Sequence, residues 1–72
     1  MSLTEIILKY EISKESTKDA VVLCVPEEIK ENVDALLVDG YASVKRGKDN
    51  VYFIYNIDQL RSRTGLDFNY KH

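Results

Sequence analysis

Apolar positions change their spacing along this chain, and the changes mark out its elements. Over Thr4 to Ile12 two periods compete. Leu3, Ile6, Ile7 and Tyr10 fit one face of a helix, whereas Ile6, Leu8, Tyr10 and Ile12 alternate with Ile7, Lys9 and Glu11 as in a strand. Isoleucine and tyrosine favour a pleated surface, so the stretch is expected to be a strand. SKESTKD then reads as a polar, turn-forming connection to a second strand. That strand is AVVLCV, a continuous apolar run between Asp19 and Pro26, whose valines and short length suit a central strand covered on both faces.

From Pro26 the period becomes helical. Proline suits a first helical turn, Glu27 and Glu28 complement the positive end of a helix, and Ile29, Val33, Leu36 and Leu37 fall on one stripe. Gly40 is the expected C-terminal cap of a main helix over about 26–39. YASVKRG and NVYFIYNI flank GKDN and predict a hairpin, with Val51, Phe53, Tyr55 and Ile57 on one face and Tyr52, Ile54 and Asn56 on the other. Phe53 is the aromatic expected to cover the helix. Asp58 can cap a short helix through Gln59, Leu60, Arg61 and Ser62, Gly65 can end it, and LDFNY alternates as a last strand. The expected fold is α+β: a single domain over 1–72 in which an antiparallel sheet packs on one main helix, in the order β-β-α-β-β-short α-β.

From residue 20 onward that order is ferredoxin-like and resembles RNA-recognition motifs. Their third strand carries a basic residue, a glycine and aromatics that stack on bases. RGKDNVYF agrees with that signature at Arg46, Gly47, Val51 and Phe53 and departs from it at Lys48, Asp49 and Asn50, so the resemblance carries no family membership. The alternative fold is a winged helix-turn-helix. LLVDGYASVKRGKDNVYFIY resembles the end of such a domain, where a helix meets a glycine and then a basic wing, but the arrangement requires AVVLCV to be helical.

Length narrows the chemistry. A chain of 72 residues commits most of its apolar side chains to one core. With one cysteine there is no internal disulfide, and Cys24 inside the apolar run reads as a small buried side chain with an unreactive thiol. One Cys and His72 make no zinc-type cluster, the glycines at 40, 47 and 65 are too far apart for a phosphate loop, and the carboxylates show no paired spacing. The expectation is therefore no catalytic residue, no metal and no cofactor. MSLTEIILKYE lacks a signal-peptide pattern and no run reaches membrane-span length, so a cytoplasmic setting without membrane association is expected.

Charge supplies the candidate binding chemistry. Residues 1–40 carry nine acidic and four basic side chains, a balance of -5, and residues 41–72 carry three acidic and six basic, a balance of +3. Lys45, Arg46 and Lys48 form a cationic hairpin tip which, with Tyr52, Tyr55, Arg61, Arg63 and Lys71, could hold phosphate and stack on a base. Glu27, Glu31 and Asp34 form an acidic helix face that would repel a polyanion and could meet a protein. The expected function is a non-enzymatic regulatory or adaptor domain binding a protein partner through that face or an exposed sheet edge. Nucleic-acid binding through the 45–48 tip is the alternative. A homodimer is also expected, because a chain this short leaves sheet edges uncovered.

Overall fold

The computed structural model describes residues 1–68 and 70. Its elements are α1 (Leu3–Tyr10), β1 (Val21–Pro26), a 3-10 turn (Glu27–Ile29) leading into α2 (Lys30–Leu36), β2 (Tyr41–Arg46), β3 (Asp49–Ile54) and α3 (Ile57–Thr64). The α+β class holds: an antiparallel three-stranded sheet in the order β1-β3-β2 is combined with helices. The order of elements is the expected one from β1 to α3 and differs from it at the two ends.

The first correction is α1, a helix where a strand was expected. Ser2 caps it: its hydroxyl accepts from the Glu5 N–H at 3.2 Å, and the Glu5 carboxylate accepts from the Ser2 N–H at 3.0 Å. This reciprocal pair satisfies two of the four donors that a helix start leaves bare, which outweighs a modest strand propensity. Helical spacing then buries Leu3, Ile6 and Ile7 on one face and leaves Leu8 71% exposed, whereas strand alternation would have put Leu8 beside Ile6.

AVVLCV is a strand, with both faces largely buried as expected, but it lies at one edge of the sheet. The centre is β3, whose Asn50, Val51, Tyr52 and Ile54 are all buried. The main helix is also shorter than 26–39. Leu37 leaves helical geometry and turns its side chain into the core, so α2 ends at Leu36. Val33 and Leu37 are the fully buried members of the predicted stripe, with Ile29 and Leu36 packed at its margin. Gly40 therefore opens β2 instead of capping the helix. Its φ is +69°, and a Cβ there would meet Asn56 Cβ at 3.0 Å.

At the other end of β3, Asn56 and not Asp58 caps α3, accepting from the Gln59 N–H, while Gly65 closes the helix in the left-handed conformation as expected. The strand expected over LDFNY is not formed by Leu66, Asp67, Phe68 or Tyr70, and Asn69 lies outside the described residues. Phe68 instead buries its ring in the core. From residue 20 the order β1-α2-β2-β3-α3 follows the ferredoxin-like one as far as Thr64, but the last strand that would complete it is not formed among the described residues. The winged-helix arrangement fails, because AVVLCV is a strand and among the described residues α1 is the sole α-helix before α2.

The helices pack on one face of the sheet, against Val21, Leu23, Val25, Tyr52 and Ile54. Leu3, Ile6 and Ile7 of α1, Val33 of α2 and Ile57 and Leu60 of α3 complete this core. On the opposite face Val22 and Val51 are buried, Cys24 and Phe53 are half-buried, and Ala42 and Val44 are exposed. Phe53, expected to cover the helix, lies on this second face. The alternation along β3 was legible; which face received the helices was not.

Candidate protein-interaction surface

The β2–β3 hairpin turns on Gly47 and Lys48. The first of these has φ +63° and the second is not in the positive region, the pattern of a type II′ turn with glycine in its first central position. The turn keeps Lys45, Arg46 and Lys48 at one end of the hairpin, with Lys45 on the helix-covered face and Arg46 on the opposite one. It also brings acids to two of them. Lys45 Nζ lies 2.7 Å from Glu27 Oε2, and the Arg46 guanidinium meets the Glu15 carboxylate through two bonds of 3.1 and 3.2 Å. Both carboxyls are held below the ordinary carboxylate range, Glu27 by Lys45 and then Asn50, Glu15 by Arg46. Lys48 makes no ion pair among the described residues.

The aromatic part of the predicted cationic site is not at the tip. Tyr52, a candidate for base stacking, is fully buried. Its hydroxyl donates to Asp34 Oδ1 at 2.6 Å, and burial followed by that bond raises its pKa. This is a correction: strand alternation points the ring into the helix-covered face, where it cannot stack on a base. Tyr55 is 56% exposed but lies beyond the far end of β3, six residues from Asp49, or about 20 Å along an extended strand. Arg61 and Arg63 lie on α3, which follows that far end. Arg61 is tied to Asp58 at 3.1 Å and to the Phe68 carbonyl at 2.9 Å, and Arg63 is exposed. Lys71 lies outside the described residues.

The acidic candidates also separate. Asp34 binds Lys30 at 2.7 Å as well as Tyr52, and these bonds, the lysine's first, hold its carboxyl below the usual range. Glu27 binds Lys45 and the Asn50 amide. These two join α2 and the preceding turn to the sheet, which leaves Glu31 as the candidate that is exposed and unpaired among the described residues.

A surface not singled out residue by residue in the sequence is the outer edge of β2. Antiparallel pairing alternates residues that face the partner strand with residues that face away. The Tyr55 N–H donates to the Gly40 carbonyl at 2.8 Å, in line with the register Tyr41–Ile54 through Arg46–Asp49. Gly40, Ala42, Val44 and Arg46 thus turn their backbone groups toward β3, and Tyr41, Ser43 and Lys45 turn theirs outward, where no strand lies. All of β2 after Tyr41 is exposed. The signal in the sequence was compositional: YASVKR is the least apolar of the strands, as an uncovered edge strand should be.

The opposite edge, along β1, is covered. The Ile12 N–H donates to the Val22 carbonyl at 2.8 Å, and the Val22 N–H donates to the buried Ser16 hydroxyl at 3.0 Å. Glu11 bridges Leu23, and Pro26 ends the strand with no N–H to offer.

Among the described residues there is no pocket, no group of side chains placed to hold a metal ion, and no helix long and apolar enough to cross a membrane. No family model, curated protein or solved structure matches the chain.

Proposed function

We propose that this chain is a small non-enzymatic domain of the regulatory or adaptor class that binds protein, and that its binding surface is the open edge of β2. The observation that carries this reading is the outward-facing backbone of Tyr41, Ser43 and Lys45 on an exposed strand. An extended segment can add there, taking main-chain hydrogen bonds from the edge and side-chain contacts from Val44 on one face and Tyr41 on the other. The pairing of Lys45 with Glu27 and of Arg46 with Glu15 supports protein over nucleic acid, since a phosphate would have to compete with carboxylates already in place. The same ion pairs reduce the charge that usually guards an edge strand.

A photo-reactive phenylalanine analogue at Val44, compared with one at Lys18 in the loop beside β1, tests the reading. Protein adducts from position 44 and not from position 18 are expected. Adducts with nucleic acid, or equal yields from the two sites, would sink it.

A further inference from the structure

We infer that the strand received by the β2 edge is β2 of a second copy of the chain, paired antiparallel about a two-fold axis through Ser43. The inference rests on the strand-addition reading and names its partner. In this register Ser43 faces Ser43 of the other copy, and Tyr41 faces Lys45, so every outward N–H and C=O of β2 finds a partner. On one face the exposed Val44 meets Ala42 of the other copy, extending the apolar surface of the half-buried Phe53 across the junction. On the other, the alkyl stem of Lys45, whose ammonium stays with Glu27, lies against Tyr41 of the other copy.

Charge selects this register. Each β2 runs from Asp39, an exposed acid just before it, to the basic tip of Lys45, Arg46 and Lys48. Antiparallel pairing about Ser43 sets Arg46 opposite Gly40 and brings Asp39 of the other copy beside Lys48, the tip cation that Glu15 and Glu27 leave without an ion pair among the described residues. Centring on Lys45 instead would oppose two lysines and set Arg46 against Val44, and like charges directly opposite destabilise a sheet. Closure is the second argument. With both β2 edges consumed, and both β1 edges occupied at Val22 by Ile12 and Ser16 and bridged at Leu23 by Glu11, the joined sheet offers no second open strand like β2 and assembly stops at two copies.

Amide exchange of β2 followed against protein concentration, together with sedimentation, tests the inference. As dimer forms, Tyr41, Ser43 and Lys45 should become protected while Ala42, Val44 and Arg46, bonded to β3 throughout, stay unchanged. Ser43→Pro removes one outward donor per copy without touching the β3 ladder, and two lost ladder bonds should raise the dissociation constant about thirtyfold. Asp39→Lys should weaken the dimer by setting basic against basic, with β3 ladder protection showing that each variant is folded. If the protein stays monomeric while the position-44 probe captures a different protein, strand addition stands and the second-copy inference falls. If a dimer forms that Ser43→Pro does not weaken, the edge pairing is overturned with it. A monomer that yields no protein adduct ends both.

Discussion

Along β1 the outward N–H and C=O of Val22 are taken up by Ser16 and Ile12, and the strand is packed on both faces. Along β2 the outward groups of Tyr41, Ser43 and Lys45 meet no strand, and every side chain after Tyr41 is exposed. Both strands pair with β3 over six residues, so the backbone ladder cannot be the source of the difference. What differs is the chain on either side. The segment from Glu11 to Ala20 returns along β1 after α1 and supplies a bridge and the buried Ser16 hydroxyl. The segment before β2 is the short run Leu37–Gly40, which has no length left to cover an edge. Edge protection in so small a domain is thus a matter of where the connecting residues are spent. The unprotected edge is the place to look for a partner.

Core substitutions should break the comparison most strongly. Leu23→Ala in β1 removes a fully buried side chain and is expected to cost about 2 to 5 kcal/mol. Val44→Ala in β2 should cost less than about 0.5 kcal/mol in the monomer, as exposed positions do. Urea denaturation of the two variants at low protein concentration gives both numbers. Equal costs would mean that β2 is as covered as β1.

Ser16 carries the closed edge. Its buried hydroxyl donates to the Ile12 carbonyl at 2.9 Å and accepts from the Val22 N–H. Ser16→Ala strands that N–H and should cost about 1 to 3 kcal/mol. The Val22 amide should then exchange faster, while Leu23, bonded in register to Tyr52, keeps its protection until the sheet opens. An unchanged Val22 amide would show that the loop closes the edge without this hydroxyl.

How much of this was legible in the sequence depends on what sets each feature. Local chemistry was readable: the Gly47 turn, the Gly65 cap and the strand character of AVVLCV. The capping pair Ser2 and Glu5 was readable too, but the β-propensity of Ile6, Ile7 and Tyr10 outweighed it, and the first element was misassigned while the order from β1 to α3 was as expected. The position of β1 at an edge was not readable. A strand buried on both faces usually lies inside a sheet, and here a loop and not another strand provides the cover. For the candidate site, the hairpin that carries the tip cations was legible, but alternation sends Lys45 and Arg46 to opposite faces of the sheet. Their acids come from Glu15 and Glu27, 31 and 18 residues away, beyond any local pattern. Tyr52 lies within β3 on the face that α2 covers and Tyr55 lies beyond the end of the strand, and neither the packing of α2 nor the end of the strand is marked in the local sequence.

The face under α2 gives a smaller effect. Tyr52→Phe keeps the buried ring and removes its bond to Asp34, which should cost about 0.5 to 1.5 kcal/mol. Its pH dependence has a definite sign. Asp34 is held below its ordinary value in the folded protein by Lys30 and Tyr52, so its contribution is present above the unfolded value and is lost as pH falls through the lowered one. The gap in stability between wild type and Tyr52→Phe should therefore narrow in acid. A gap that is constant down to acid unfolding would show that the hydroxyl does not act through this carboxylate.

The smallest effect returns to the closed edge and runs the other way. Glu11 ends α1 at the bridge to Leu23, and its Oε2 is buried with no hydrogen-bond partner among the described residues. Burial raises its pKa, so the fold favours the neutral acid. The stability this group contributes is therefore full below its unfolded value and is lost as pH rises through the raised one, opposite to Asp34, Glu15 and Glu27. Glu11→Gln carries no charge at any pH, and should match wild type in acid and exceed it at neutral pH. Because the other carboxylates are common to both proteins, the difference between the two unfolding curves isolates Glu11. A Gln variant less stable than wild type at pH 7 would mean that the carboxylate is needed where the chain closes over β1, and that the covering of that edge rests on a charge instead of on Ser16 and Ile12.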